Sequence, residues 1–289
     1  MGAALLRNGE PLLEERPANH REAARKRTAS NTAFTIDLPL DRFSLSQEDQ
    51  ILLQRAEIKA QQLCVARFGV PAPKAAEIPR AANSAELTRR YGLLDRRAAE
   101  KNGYQIPDSS DPAPDVYPEL NEIQHALLSG HEADGGVLKS HRGNPVPEDG
   151  CAGEAAHKIR ARDKDEQIRM AVARDIDHES YKRSLTNPRV RNSFADWSRC
   201  MKGKGFTYES PLTVTSDPRF AEPDPDDKER TVAVADVDCK FSVDLPNVWM
   251  NVERKIQREL VEKDKRTLDL LAADQERILK KARALLRAK

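Results

Sequence analysis

The longest regular pattern of apolar positions runs through SLSQEDQILLQRAEIKAQQLCVARFG, residues 44–69. Ile51, Ile58 and Val65 recur every seven residues, and Leu52, Ala56, Leu63 and Leu53, Ala60, Cys64 fill the neighbouring rows. That spacing lines one face of an α-helix. Ser44 with Gln47 reads as a capping box at its start. Gly69 suits a left-handed stop, and Pro71 and Pro73 prevent the helix from resuming. NSAELTRRYG and LLDRRAAEKNGY predict two short helices. Asn83 or Ser84 caps the first and Asp95 the second, while Gly92 and Gly103 end them. ELNEIQHALLSG predicts another, with Leu120, Ile123 and Leu127 on one side.

Residues 131–150 are turn-rich and hold room for one small β-hairpin around HRGN. From Cys151 onward the pattern is helical. CAGEAAHKIRA and DEQIRMAVARDIDHESYKRSL come first, as one broken helix. Asn187 caps the next, with Pro188 at its first position. There Val190, Phe194, Trp197 and Met201 form a stripe that assigns Phe194 and Trp197 to the core. KERTVAVADVDCKFSV aligns Val232, Ala235 and Cys239 on a further helix. Residues 246–289 form one long helix or an αα-hairpin, with Trp249 leading its apolar stripe.

The expected fold is mostly α: an irregular multi-helix bundle with long loops, ending in a long helix or αα-hairpin, with at most one small β-hairpin. Residues 1–35 are polar and without periodicity and read as a disordered tail. FTIDLPLDRF (34–43) reads as an extended strap. Residues 36–289 form a single domain, and the Pro/Asp loop 106–118 is the best place for an internal boundary.

Composition narrows this picture. Among 289 residues, 38% are hydrophobic, 5% aromatic and 33% charged, so the core must be lean and each helix buries one stripe. A net charge of +1 gives no general attraction to nucleic acid. No apolar run approaches the length that spans a bilayer. The start, MGAALLRNGEPLLEER, is a poor signal peptide, because AALL is short and Arg7, Glu10 and Glu15 interrupt it. It also lacks the Ser or Thr of a myristoylation signal.

Motifs that carry chemistry are scarce. HEAD (131–134) lacks the spacing of the zinc motif H-E-x-x-H. RDIDHES puts Asp175, Asp177 and Glu179 beside His178, but neighbours on a helix point in different directions. Neither a nucleophile elbow nor a phosphate-cradling glycine loop is present. No catalytic residue, metal ligand or cofactor is therefore assigned. KGKGFTY combines Lys202 and Lys204 with Phe206 and Tyr208. It reads either as a binding loop for glycans or single strands or as a helix C-cap with one aromatic tucked back. RILKKARALLRAK at the C-terminus either meets an anionic surface or complements the helix dipole.

The four cysteines are Cys64, Cys151, Cys200 and Cys239. None has C-x-x-C spacing, which argues against zinc. Two disulfides, Cys64–Cys151 and Cys200–Cys239, are expected, with four free buried cysteines in a cytoplasmic protein as the alternative. Sequence allows three pairings. The choice rests on topology: Cys200 and Cys239 lie on helices joined by a proline-rich connection, so antiparallel packing brings them together.

Several blocks carry a family resemblance: LPLDRFSLSQEDQILLQRAEIKAQQLCVARFG, RRYGLLDRRAAEKNGY, VPEDGCAGEA and WSRCMKGKGFTYESP, then AVADVDCK and VWMNVERKIQREL. Together they resemble a group of secreted and lipoprotein-like proteins of streptomycetes and related actinobacteria, over residues 36–289. The group's function is not established, and the resemblance transfers no catalytic residue. It implies an extracytoplasmic, envelope-associated setting, in agreement with disulfides. A leader with a lipobox cysteine, expected in that group, is not found at this N-terminus. The expected function is a non-enzymatic envelope protein that binds a partner protein or a wall component. The alternatives are a wall-acting hydrolase with carboxylates from loops 107–118 or 131–150, and a cytoplasmic helical adaptor if the cysteines are free.

Overall fold

The computed structural model describes residues 34–78, 89–106, 116–160, 164–220 and 224–288. Expectations for residues 1–33, for the Asn83 or Ser84 helix start, and for the middle of the 106–118 loop fall outside them. Among the described residues there are ten α-helices and one two-stranded hairpin, a mostly α fold. In chain order the elements are α1 (Gln47–Arg67), α2 (Arg96–Asn102), α3 (Glu122–Ser129), β1 (Ser140–His141), β2 (Asn144–Pro145) and α4 (Gly150–Arg160). Then come α5 (Lys164–Thr186), α6 (Pro188–Gly203), α7 (Pro211–Val214), α8 (Asp227–Ser242), α9 (Leu245–Lys263) and α10 (Lys265–Arg287).

Local chemistry explains most of the boundaries. Asp95 caps α2 by accepting from the Arg97 and Ala98 amides at 2.8 and 3.0 Å. Asn121 and Gln124 form a full capping box on α3, which ends at left-handed Gly130. Asn187 accepts from the Arg189 amide, with Pro188 opening α6. The hairpin pairs Ser140 with Pro145 and His141 with Asn144 across an Arg142-Gly143 turn, both residues having positive φ. One cap differs from expectation. Ser46, not Ser44, caps α1, accepting from the Asp49 amide at 3.1 Å, and Leu45 packs against the α1 side of the core instead.

The C-terminal region is a tandem rod. Only Asp264 separates α9 from α10, too short a break for the loop of an αα-hairpin. The long α5 runs antiparallel along both helices. Trp249 Nε1 donates to Ser184 Oγ at 2.7 Å and Gln257 Nε2 to Ser180 Oγ at 3.1 Å, while Arg169 pairs with Asp274 at 2.6 Å near the other end. The hairpin alternative is thus excluded.

Apolar stripes from these helices fill separate cores. One gathers Tyr91, Trp197, Val232, Cys239 and Trp249 between α6, α8 and α9. A second joins α1, α3 and α4 around Val65, Phe68, Leu127 and Cys151. Smaller clusters lie along the rod, around Val261, Leu268 and Ile176, and around Leu53, Ile159 and Ile278. Residues 34–43 lie over the rod as the expected strap. Leu38 and Leu40 are buried, and the Leu40 amide donates to Gln257 Oε1 at 2.7 Å.

Candidate functional site

Both expected crosslinks are present, and no cysteine is free. Cys64–Cys151 joins the end of α1 to the start of α4, with a Cα separation of 5.6 Å. Arg67 pairs with Glu154 beside it at 2.8 Å. Cys200–Cys239 joins α6 to α8 at 5.7 Å. The pairing is as expected, but the stated geometric reason is not. Trp197 meets Asp236 and Cys200 meets Cys239, both with the same sequence offset of 39. Contacts that advance together along both helices do not describe an antiparallel pair. The connection 204–226, carrying α7 and the 3₁₀ turn Pro218–Phe220, is long enough to return the chain before α8 begins.

Around Trp249 lies a buried polar centre. Trp249 is fully buried, with Tyr91 at 5.0 Å, Tyr181 stacked at 5.6 Å and Phe194 edge-on at 5.0 Å. Beneath them Glu253, also fully buried, pairs with the Arg90 guanidinium and accepts from Tyr91 Oη at 2.8 Å and Ser180 Oγ at 3.2 Å. Arg90 reaches Asp177 as well, at 3.0 Å. Burial opposes the Arg90 charge, but Glu253 and Asp177 more than offset it and hold the guanidinium firmly protonated. Burial first, and then the neighbouring Glu253 charge, push the Tyr91 hydroxyl far above its ordinary range.

A second polar centre sits under the Cys200–Cys239 bridge. Lys240 and Asp236, one turn apart on α8, are both fully buried and 2.8 Å apart. Trp197 Nε1 donates to Asp236 Oδ1 at 2.9 Å, and Lys240 Nζ donates to the Leu93 carbonyl at 3.1 Å. Desolvation raises the Asp236 carboxyl above the usual carboxylate range despite Lys240 and Trp197. The Tyr104 hydroxyl meets Asp236 electrostatically, without a partner in hydrogen-bond geometry. Gly92 makes the approach of Lys240 feasible: its φ is +80°, and a Cβ there would lie 2.7 Å from Lys240 Nζ. Segment 89–105 therefore lies across the helices as a polar strap. Glu229 holds its far end, accepting from the Tyr104 amide at 2.8 Å.

The structure divides the stretch read as either a binding loop or a helix C-cap. The Phe206 amide donates to the Met201 carbonyl at 3.0 Å, closing α6, and the Phe206 ring packs on the core. Tyr208 Oη donates to Asp217 at 2.8 Å and accepts from Arg219 at 3.0 Å, and its ring too packs on the core. Burial and the Asp217 bond push its hydroxyl up to about 12. Lys202 and Lys204 are exposed, with Lys204 3.8 Å from Asp238. The aromatics and lysines thus face different ways, which is the helix-cap arrangement. The apolar stripe of α10 is likewise covered by α1 and α4, through Ile278, Leu279 and Ala282 against Leu53, Ala56 and Ile159. In the 131–150 loop, Asp134 is spent on the Gly136 amide at 2.9 Å. The carboxylates of 107–115 lie outside the described residues. Among the described residues no group of three or more His, Cys, Asp or Glu converges as metal ligands.

The polar centres were missed by the sequence reading. Asp236 and Lys240 have the spacing of a solvated i,i+4 pair, and Arg90, Tyr91 and Glu253 are 163 residues apart at their widest. The one available signal was α8 itself, whose apolar residues occupy more than one face. No family model, curated protein or solved structure matches the chain.

Proposed function

We propose that this chain is a non-enzymatic, envelope-associated binding protein, related to the secreted and lipoprotein-like actinobacterial group that its sequence blocks resemble, and that it engages a partner protein or a wall component. The observation that carries this reading is the covalent one: all four cysteines are paired. Such bonds persist in oxidising compartments and are rare in the cytoplasm. The internal charges add support. Arg90 of the strap is bound to Glu253, and Lys240 to Asp236 and the strap's Leu93 carbonyl, so these charges serve to hold the strap. Binding then falls to the outer surface of a stiffened helical frame.

The test is made on protein from its native cell. Cells are quenched in acid, fractionated and alkylated without reductant, and the thiol count is read by gel shift. The expected result is recovery outside the cytoplasm with no alkylated cysteine. In-cell crosslinking should then join the protein to an envelope or wall component. Four alkylated thiols in freshly quenched cells would overturn the reading.

A further inference from the structure

The two crosslinks differ in access. Cys64 is 3% exposed and Cys151 is fully buried, and α1, α3 and α4 close over that bridge. Cys239 is equally sealed, but Cys200, in the last turn of α6, is only partly buried. Its Sγ lies 3.6 Å from the Ser242 hydroxyl, and Ser242 is exposed at the end of α8. Phe241, next to Ser242 in the chain, is 38% exposed, and the exposed Arg199, Lys202 and Lys204 flank Cys200 in sequence, with Arg199 paired to Asp196 and Lys204 3.8 Å from Asp238.

We infer that Cys200 is a thiol–disulfide exchange site for low-molecular-weight thiolates, and that Cys64–Cys151 is a closed structural bond. This rests on the disulfides of the proposed function and adds a reactive position to it. The thiolate attacks Sγ of Cys200, along the exposed side of the bridge. The S–S bond breaks and Cys239 leaves as a thiolate, which takes up a proton. The product is a mixed disulfide between Cys200 and the attacking thiol. A second thiolate attacks the attached sulfur, releasing Cys200 and forming the small-molecule disulfide. Two thiols are oxidised and one protein disulfide is reduced, so electrons balance. Access decides the choice of sulfur, because attack needs an in-line approach that the buried Cys239 does not offer. A small, flexible thiol such as glutathione fits an approach limited to this exposed side. Once the bridge opens and the end of α6 loosens, the Trp197–Asp236 bond and the Phe194–Trp249 contact still attach that helix to α8 and α9, so the Cys200 thiol stays presented on a folded surface.

The experiment uses purified, oxidised full-length protein exposed to graded glutathione, quenched with an alkylating agent and mapped by peptide mass. Cys200 and Cys239 should be labelled on the order of tenfold faster than Cys64 and Cys151, with the glutathione adduct on Cys200. In a second arm with glutathione disulfide as the reagent, Cys239→Ser should take up one glutathione at Cys200 and release one glutathione thiol, while Cys200→Ser leaves Cys239 unmodified at equal helicity by circular dichroism. Equal opening of both bridges, earlier opening of Cys64–Cys151, or an adduct on Cys239 would each overturn the inference. Because the oxidised protein is the starting material, these outcomes are independent of the thiol count in native cells.

Discussion

Replacing Lys240 by Met tests whether the second polar centre is a buried ion pair supported by the strap. The substitution keeps volume and removes the cation 2.8 Å from Asp236 together with the donor to the Leu93 carbonyl at 3.1 Å. Both side chains are fully buried, so water cannot replace the lost partner. Breaking a buried pair from one side costs about 3–5 kcal/mol. Adding Asp236→Asn removes the stranded charge, and the Asn oxygen can still accept from Trp197 Nε1. The double variant should then retain a deficit of about 1–3 kcal/mol, the cost of the orphaned Leu93 carbonyl. Urea unfolding followed by far-ultraviolet circular dichroism and by tryptophan emission measures both, since Trp197 reports on the pair directly. The pH dependence has a fixed sign. A carboxyl whose folded-state pKa is raised contributes stability below the unfolded value, and that contribution is lost as pH rises through the folded one. Burial already raises Asp236 in the native protein. Loss of Lys240 raises it further, so the deficit of Lys240→Met should shrink on acidification toward pH ~4, the unfolded value. A single variant within about 1 kcal/mol of the native protein, or a double variant no better than the single, would refute this account.

Three further outcomes follow from the same geometry. Gly92→Ala places a Cβ at φ +80° and 2.7 Å from Lys240 Nζ, so it should cost at least the ~1–2 kcal/mol of a left-handed L-residue, read as a lower urea midpoint. All five tyrosines have hydroxyls raised by burial, Tyr117 and Tyr208 to about 12. Ultraviolet titration of the folded protein should therefore show phenolate formation displaced above pH ~10, and stability should fall as pH climbs through the folded values. Cys64→Ser with Cys151→Ser opens a loop of sequence separation 87, worth about 4–5 kcal/mol in the chain-entropy picture. A melting temperature unchanged by that double substitution would contradict the role given to the crosslink.

What the sequence disclosed, and what it hid, follows from the range of each interaction. Caps such as Asp95 and Asn187 act over three residues and are visible as short strings. The hairpin was visible because a Gly after Arg142 permits positive φ at the turn. The stripe Val190, Trp197, Met201 was visible because helical periodicity repeats it. The cap at Ser46 went unread because Ser44 offers the same local chemistry two residues earlier. Asp236–Lys240 went unread because an i,i+4 pair looks the same on a wet face as in a core. Whether it is buried depends on Gly92 and Leu93, 147 residues from Lys240 at the Leu93 contact.

A lean apolar interior gives these long-range polar contacts their weight. Arg90 reaches Glu253, Lys240 reaches Leu93 and Glu229 reaches Tyr104, so one strap, 89–105, touches α5, α8 and α9 through bonds that tolerate few substitutes. A hydrophobic strap of the same length could slide by a residue at little cost, whereas a buried charge displaced from its partner is stranded. The polar centres thus fix the register of the strap, and the crosslinks fix the helices beneath it: Cys200–Cys239 holds α6 on α8 beside Trp197 and Asp236, and Cys64–Cys151 holds α1 on α4. Register and attachment are separate tasks. Reducing Cys200–Cys239 should therefore loosen α6 while the strap keeps its place, measurable as faster amide exchange in α6 than in residues 89–105. Simultaneous loss of protection in both segments would show that the bridge, and not the buried charges, positions the strap.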